Sequence, residues 1–320
     1  MDGYTSKEGV QIIKMMLNQD DPNDRVVRQK QLLTDLLQDE GICNYGCWFY
    51  SPMMYEFADV LNPEFVVYDC MDELSAFKFA PPKLKMLEAA LIDRADIMFT
   101  GGRKLFDAKK LLHDNIHCFP SSIDQSHFAK AKSITVEPED QKNIPHPRFG
   151  FFGVIDERFD IELLSALATK KPDWHFVIIG PVVKIDASTL PQQSNIHYLG
   201  MKKYEELPHY IASWDIAFMP FAINESTEFI SPTKTPEYLA AGKPVISTPI
   251  HDVINPYGQN GLVHIASTAE EFITVAQQIM KQERTDWEKE VRTFLSGNSW
   301  DITYSEMQKI IAKQLIPAQP

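Results

Sequence analysis

The sequence predicts an α/β protein made of two parallel-sheet units, and three observations lead there. From about residue 45 onward, short runs rich in Val, Ile and Phe alternate with amphipathic segments at helical spacing, the pattern of strand–helix–strand connections. One polar stretch, residues 130–148 with Pro138, Pro145 and Pro147, interrupts the alternation and has the composition of a domain boundary. The length of 320 residues exceeds one typical core and suits two. The expected units are residues 1–140 and 148–290, with further helices over 291–320.

Taken in order, residues 7–40 read as two helices. The first lies around Val10 to Leu17, the break is Asn18-Gln19-Asp20-Asp21-Pro22-Asn23-Asp24, and the second carries Val26, Val27, Leu32, Leu33, Leu36 and Leu37. Strands are then expected at 47–50, 65–68, 97–100 and 116–119, with helices at 53–61, 82–94 and 102–112 between them. The second unit repeats the scheme. Its strands fall at 149–153, 175–180, 196–200, 216–221 and 261–265, and its helices at 161–168 and 204–214. Residues 269–280 are amphipathic, and the tail to Leu315 reads as two more helices.

The stretch Ser231-Pro232-Thr233-Lys234-Thr235-Pro236-Glu237-Tyr238-Leu239-Ala240-Ala241-Gly242-Lys243-Pro244-Val245-Ile246-Ser247 concentrates the chemistry. Pro236 has no N–H to donate and suits a first helical turn, with Thr235 or Ser231 as the cap before it. Gly242 suits a left-handed helix stop, and Val245-Ile246 reads as a buried strand. Lys234 and Glu237 are three apart, which puts them on one face of a continuous turn. A cation, a carboxylate and unpaired N–H groups at one helix start suit a phosphate with a sugar hydroxyl beside it. A solvated Lys–Glu pair on an ordinary βαβ connection is the alternative.

Composition sets further bounds. A net charge of −13 argues against a nucleic-acid partner. No apolar run approaches the ~20 residues needed to span a bilayer, which leaves peripheral membrane contact open. The N-terminus Met1-Asp2-Gly3-Tyr4-Thr5-Ser6-Lys7 lacks the apolar core of a signal peptide, so a cytoplasmic location is expected. Four cysteines, Cys43, Cys47, Cys70 and Cys118, are scattered without zinc-site spacing and read as buried free thiols. His113, His117 and His127 also lack ligand spacing, so no metal is expected. Asp69 and Asp72 follow a strand end, where they suit acid–base work; a helix cap is the other reading of Asp72. His251-Asp252 lines either the same cleft or a surface loop. Trp48, Phe49 and Tyr50 belong to the core, or stack on a sugar ring.

Several motifs in fixed order carry a resemblance. Tyr68-Asp69-Cys70-Met71-Asp72, Arg94-Ala95-Asp96-Ile97-Met98-Phe99-Thr100 and Pro120-Ser121-Ser122-Ile123-Asp124-Gln125-Ser126-His127-Phe128 stand in the first unit. Phe152-Gly153, Asp160, Pro172-Asp173-Trp174, Ile179-Gly180-Pro181 and the Lys234–Glu237 segment stand in the second. Together, over roughly residues 45–315, they resemble the GT-B fold retaining glycosyltransferases of bacterial family 4, the glycosyl transferases group 1 type. The resemblance implies two Rossmann-like domains facing across a cleft. It implies transfer of a hexose, with retention, from a nucleotide diphosphate sugar to a glycan or lipid-linked acceptor in cell-surface polysaccharide biosynthesis. Neither a metal nor a cofactor is implied. Donor binding falls to Gly153, Arg158, Lys234, Thr235 and Glu237, with Glu237 on the ribose. Asp72 and Glu228 are the catalytic candidates.

Three departures accompany the resemblance. The chain opens with polar segments where the family has a strand and glycine-rich loop, so the N-terminal domain is expected to be incomplete or remodelled. Val154 and Asp160 stand where relatives carry an Arg and a Lys for the diphosphate, leaving Arg158 and Lys234 as the nearest cations. Phe229 stands where relatives carry a Glu, with Glu225 and Glu228 close by. A catalytically weak or inactive module that binds a nucleotide sugar or a partner enzyme is the alternative reading.

Overall fold

The computed structural model describes residues 2–17 and 22–315, with residues 22–24 described by backbone alone. The first unit begins with a hairpin of β1 (Asp2–Thr5) and β2 (Gln11–Lys14), followed by α1 (Pro22–Asp39). The helix expected around Val10 to Leu17 is therefore half strand. Gly9 takes φ +86° and a tight turn closes from Ser6 N–H to the Val10 carbonyl, which aligns the β-branched pair Ile12-Ile13 with Tyr4 and Gly3 across an exposed antiparallel ladder. The expected break at 18–24 falls largely outside the described residues. α1 carries Val26 through Leu37 as the periodicity predicts.

Strands β3 (Gly46–Phe49), β4 (Phe65–Cys70), β5 (Ile97–Thr100) and β6 (Ile116–Cys118) form a parallel sheet in simple sequential order. Helices α2 (Pro52–Ala58), α3 (Leu84–Arg94) and α4 (Arg103–Lys109) connect them, and α5 (Gln125–Ala129) follows. Ser51 caps α2 ahead of Pro52, the position where a proline loses nothing. Alternation decides which residues meet. Val66, Tyr68 and Cys70 pack with Leu91, Ile92 and Leu105 on one face. Val67, Ile97 and Phe99 pack on the other against Met307, Ile310 and Ile311.

Those last residues belong to the C-terminal helix, so the chain returns to the first unit after completing the second. Only Cys70 is a buried thiol; Cys43 is exposed and the other two are half-buried, correcting the expectation of four core thiols, and all four are free.

The second sheet has six parallel strands in the order β12-β11-β10-β7-β8-β9. These are β7 (Arg148–Phe152), β8 (His175–Ile179), β9 (Ile196–Gly200), β10 (Ile216–Met219), β11 (Val245–Ser247) and β12 (His264–Ile265). Its helices are α6 (Ile161–Lys170), α7 (Leu207–Ala212), α8 (Lys234–Ala240), the short α9 (His251–Val253), α10 (Ala269–Ile279) and α11 (Thr285–Leu295), and the C-terminal helix that packs on the first sheet is α12 (Trp300–Leu315). β7 is central and buried along its whole length. A Cβ on Gly150 would overlap the Trp214 indole, so the glycine is what lets that ring lie flat on the strand.

The strand order reverses between β7 and β10. In an open α/β sheet, ligands bind outside the carboxyl ends of the two strands flanking such a reversal. The polar stretch 130–148 is not a free tether. Gln141 is fully buried and accepts from the Trp214 indole N–H, while Arg148 pairs with Glu137 at 2.7 Å.

The two units are joined at α4. Asp252, 3% exposed, accepts hydrogen bonds from the Arg103 and Lys104 N–H groups at 2.7 and 3.0 Å and from His251 Nδ1 at 2.8 Å. A carboxylate from the second unit thus caps a helix of the first. Gly102 leaves room for it, since a Cβ there would lie 2.5 Å from Asp252 Oδ2. Asp252→Ala leaves two half-buried N–H donors without a partner and should cost about 1–2 kcal/mol of stability, with faster amide exchange at Arg103 and Lys104. Urea denaturation checks this, and a loss below about 0.5 kcal/mol would mean the cap is dispensable.

Candidate functional site

Bare backbone at the end of β7 builds the site. Gly153 takes φ +147° and Gly180, at the end of neighbouring β8, takes φ +142°. A Cβ on Gly180 would overlap the Gly153 carbonyl, and a Cβ on Gly153 would overlap Lys234 Cε. Both glycines are therefore required by a close approach as well as by φ. α8 is tied to this point by Tyr238, fully buried, whose hydroxyl accepts the Phe152 N–H at 2.9 Å. Gly242, at φ +75°, ends the helix as expected.

The cap was expected at Thr235 or Ser231, but it is Thr233 that occupies the cap position, with no side-chain bond to the helix. Thr235 lies inside the first turn, fully buried, with Oγ1 3.7 Å from the Met219 sulfur. Pro236 tolerates the third helical position as well as the first, because neither N–H is owed an intrahelical partner. The Thr235 side chain therefore backs the site and does not line it, which corrects its place among the donor-binding side chains.

Lys234 and Glu237, both half-buried, lie three residues apart on that turn. The Lys234 ammonium sits 5.6 Å from the centroid of the Phe151 ring. Burial lowers the Lys234 pKa, with Glu237 opposing the shift. Burial also pushes the Glu237 carboxyl up to about 7 although Lys234 pulls it down. Glu237 Oε2 is buried and has no hydrogen-bond partner among the described residues. Beside Glu237, Tyr204 stacks on His127 with ring centroids 4.1 Å apart, and the Glu237 charge is among the causes that raise the Tyr204 pKa, after burial.

A cavity of about 150 Å³ opens in front of Lys234, walled by Val154, Arg158, Ser231, Thr233 and, from the first unit, Asp72. Arg158 is held by Asp156, which is 2% exposed and accepts from Nε at 3.0 Å and from Nη2 at 2.8 Å. Arg158 Nη1 makes no hydrogen bond to a described residue, so one edge of the guanidinium remains open to an anion. Asp72 is no helix cap. Burial raises its pKa and the Arg158 charge pulls it back. Asp69 faces away from this cavity's residues, accepting from the Trp48 indole N–H at 3.1 Å, so the two aspartates do not act as a pair. Burial pushes the Asp69 carboxyl up to about 6.

Glu228 falls elsewhere. It is exposed, 3.9 Å from Lys104, and lines a larger space of about 800 Å³ with Glu73, Glu88 and Glu225. The structure therefore separates the two catalytic candidates, because the turn 225–227 carries Glu228 toward the first unit's helices. Phe229 packs into the first unit's core. Lys109 neutralises Glu73 and Glu88 from beneath, at 2.7 and 2.8 Å, but that space remains rich in carboxylates and unsuited to a polyanion. Asp160 spends its carboxylate on the Leu163 N–H, capping α6. Tyr204 had no sequence signal, since its partner His127 is distant in the chain; Asp156 lies only two residues from Arg158 but in a pattern any surface pair shares; Asp252 was noted without its role as a cap across the two units.

Comparison with known proteins agrees with the geometry. Residues 146–282 match the family model described as glycosyl transferases group 1. The chain is 24% identical over 284 residues to the Bacillus subtilis (strain 168) protein named as the teichuronic acid biosynthesis glycosyltransferase TuaH, covering 82% of this chain and 70% of that one. Its fold is similar to sucrose-phosphate synthase from Thermosynechococcus elongatus, at TM-score 0.74 and 14% identity over 100% of this chain and 86% of that one. It is also similar to Anabaena Alr3699/HepE, solved with UDP and glucose, at TM-score 0.66 and 14% identity over 88% and 80% of the two chains. The α/β fold with its parallel sheets therefore resembles that of GT-B glycosyltransferases such as sucrose-phosphate synthase, and the family-model match lies within its second unit.

Proposed function

We propose that the protein transfers a hexose, with retention, from a nucleotide diphosphate sugar to a glycan or lipid-linked acceptor. The observation that carries this reading is the Lys234–Glu237 turn set against Gly153 at the strand reversal. Lys234 and the open edge of Arg158 take the diphosphate, and the bare backbone at Gly153 lets phosphate come close. The partnerless Glu237 oxygen accepts the ribose hydroxyls. In the reaction, the bond from the anomeric carbon to the phosphate oxygen breaks and the acceptor hydroxyl oxygen replaces it on the same face. The hydroxyl proton leaves with the diphosphate. Side-chain cations stabilise the departing charge, so the reading requires no metal or cofactor. Asp72 is placed beside them from the first unit; Glu228 has no part in it.

HepE, solved with UDP, makes uridine diphosphate the first probe. Similarity to TuaH supports an acceptor in cell-surface polysaccharide biosynthesis. No helix among the described residues is long and apolar enough to cross a membrane, so we place the protein at the cytoplasmic side with peripheral access to a lipid-linked acceptor.

Calorimetry tests the assignment. Glu237→Ala should weaken uridine diphosphate by tenfold or more, the loss of a charge-assisted contact of about 1.5–3 kcal/mol. Lys234→Ala should weaken uridine diphosphate far more than uridine. Less than twofold change in both variants would leave a solvated pair and remove the reading.

The pH profile gives a second test. Glu237 binds hydroxyls best as the carboxylate, and its pKa is raised to about 7. Affinity should therefore fall as pH drops through about 7, and fall again at alkaline pH as Lys234, its pKa lowered by burial, loses its charge. Glu237→Gln should flatten the acid limb alone; an unchanged acid limb would mean that another group controls it.

A further inference from the structure

The segment between β4 and α3 leaves the first unit and lies on the second. Ser226 Oγ donates to the Ala76 carbonyl at 2.9 Å, and Glu157 Oε1 accepts the Lys78 N–H at 3.1 Å. Between these two bonds the Phe77 ring meets two cations of the second unit, with Arg158 Cζ 5.3 Å and Lys184 Nζ 5.1 Å from its centroid. Arg158 is the same guanidinium that lines the cavity in front of Lys234.

The backbone bears on the point independently. Among the described residues, the non-glycine positions with left-handed φ are Phe79 at +66° and Lys184 at +61°. One lies on each side of this contact, and the Lys184 carbonyl is 3.5 Å from Lys78 Nζ. Such a conformation is strained for a side chain with a Cβ unless its surroundings hold it. Phe79 is 77% exposed and holds this φ in a local turn closed by the Ala80 N–H on the Phe77 carbonyl at 3.1 Å, the turn that carries Phe77 at the contact.

We propose that Phe77 is a positioning residue which the first unit contributes to the diphosphate site of the second, and that residues 72–80 form a latch whose hold on the second unit is coupled to donor binding. The inference rests on the donor site assigned above. Asp156 fixes two nitrogens of Arg158 in the guanidinium plane. Phe77 approaches the same group, and Asp72 at the base of the latch adds a charge on the cavity side. Only the Nη1 edge is then left for phosphate. An anion on that edge keeps the guanidinium in the orientation the ring prefers, so ring and phosphate each favour the other's contact. Cation–π contacts on a partly desolvated Arg have the magnitude for this, about 1–2 kcal/mol.

The test uses the full chain with uridine diphosphate and uridine as probes. Phe77→Leu keeps bulk but removes the π face, and Phe77→Trp keeps both. Phe77→Leu should lower uridine diphosphate affinity about tenfold while uridine affinity stays within twofold, and Phe77→Trp should restore it. In the wild type, uridine diphosphate should slow amide exchange across residues 73–80, and this protection should be lost in Phe77→Leu. Equal losses for both probes, or none, would overturn the proposal. If Arg158→Ala weakens uridine diphosphate while Phe77→Leu does not, the latch fails and the donor site stands. If neither Lys234→Ala nor Arg158→Ala changes binding, the donor site fails and the latch with it.

Discussion

The close approach of the Lys234 side chain to the backbone of Gly153 is the constraint on which the rest of the site depends. A Cβ on Gly153 would displace the end of the Lys234 side chain and one on Gly180 would displace the Gly153 carbonyl, so a side chain at either position moves the ammonium group away from the strand reversal. Tyr238 fixes that spacing from below by bonding to the Phe152 N–H. The fold supplies the crevice wherever strand order reverses. Glycines at two neighbouring strand ends make it usable by a polyanion.

The charges around this point are set against their ordinary values. Burial lowers the Lys234 pKa and raises that of Glu237, so desolvation works against the charge of both. A ligand that brings negative charge to Lys234 and hydroxyls to Glu237 relieves both costs at once. The acid-walled space around Glu73, Glu225 and Glu228 is larger but offers such a ligand only repulsion.

Much of the fold was legible because it is local. Strand β8 follows from an unbroken apolar run and helix α10 from a period-3.6 pattern, both of which any neighbours would preserve. The Lys234–Glu237 turn was legible for the same reason, as one face of one helix. The N-terminal hairpin was not, because Val10-Gln11-Ile12-Ile13 is too short to separate strand from helix, and Gly9 decided it. Glu228 was misplaced because a loop's spacing does not say which unit it folds against. Asp252, Phe77 and Asp156 were silent or undervalued in the sequence. Asp252 and Phe77 act across the boundary between the units, and Asp156 holds its arginine through a two-residue turn that any surface pair could imitate.

The most direct test is a crystal structure of the wild-type chain with a nucleoside diphosphate. The account predicts a phosphate oxygen about 3 Å from Lys234 Nζ and the ribose hydroxyls on Glu237, with the phosphates over Gly153. Phosphates bound away from Lys234, or a ribose that leaves Glu237 Oε2 without a partner, would contradict it.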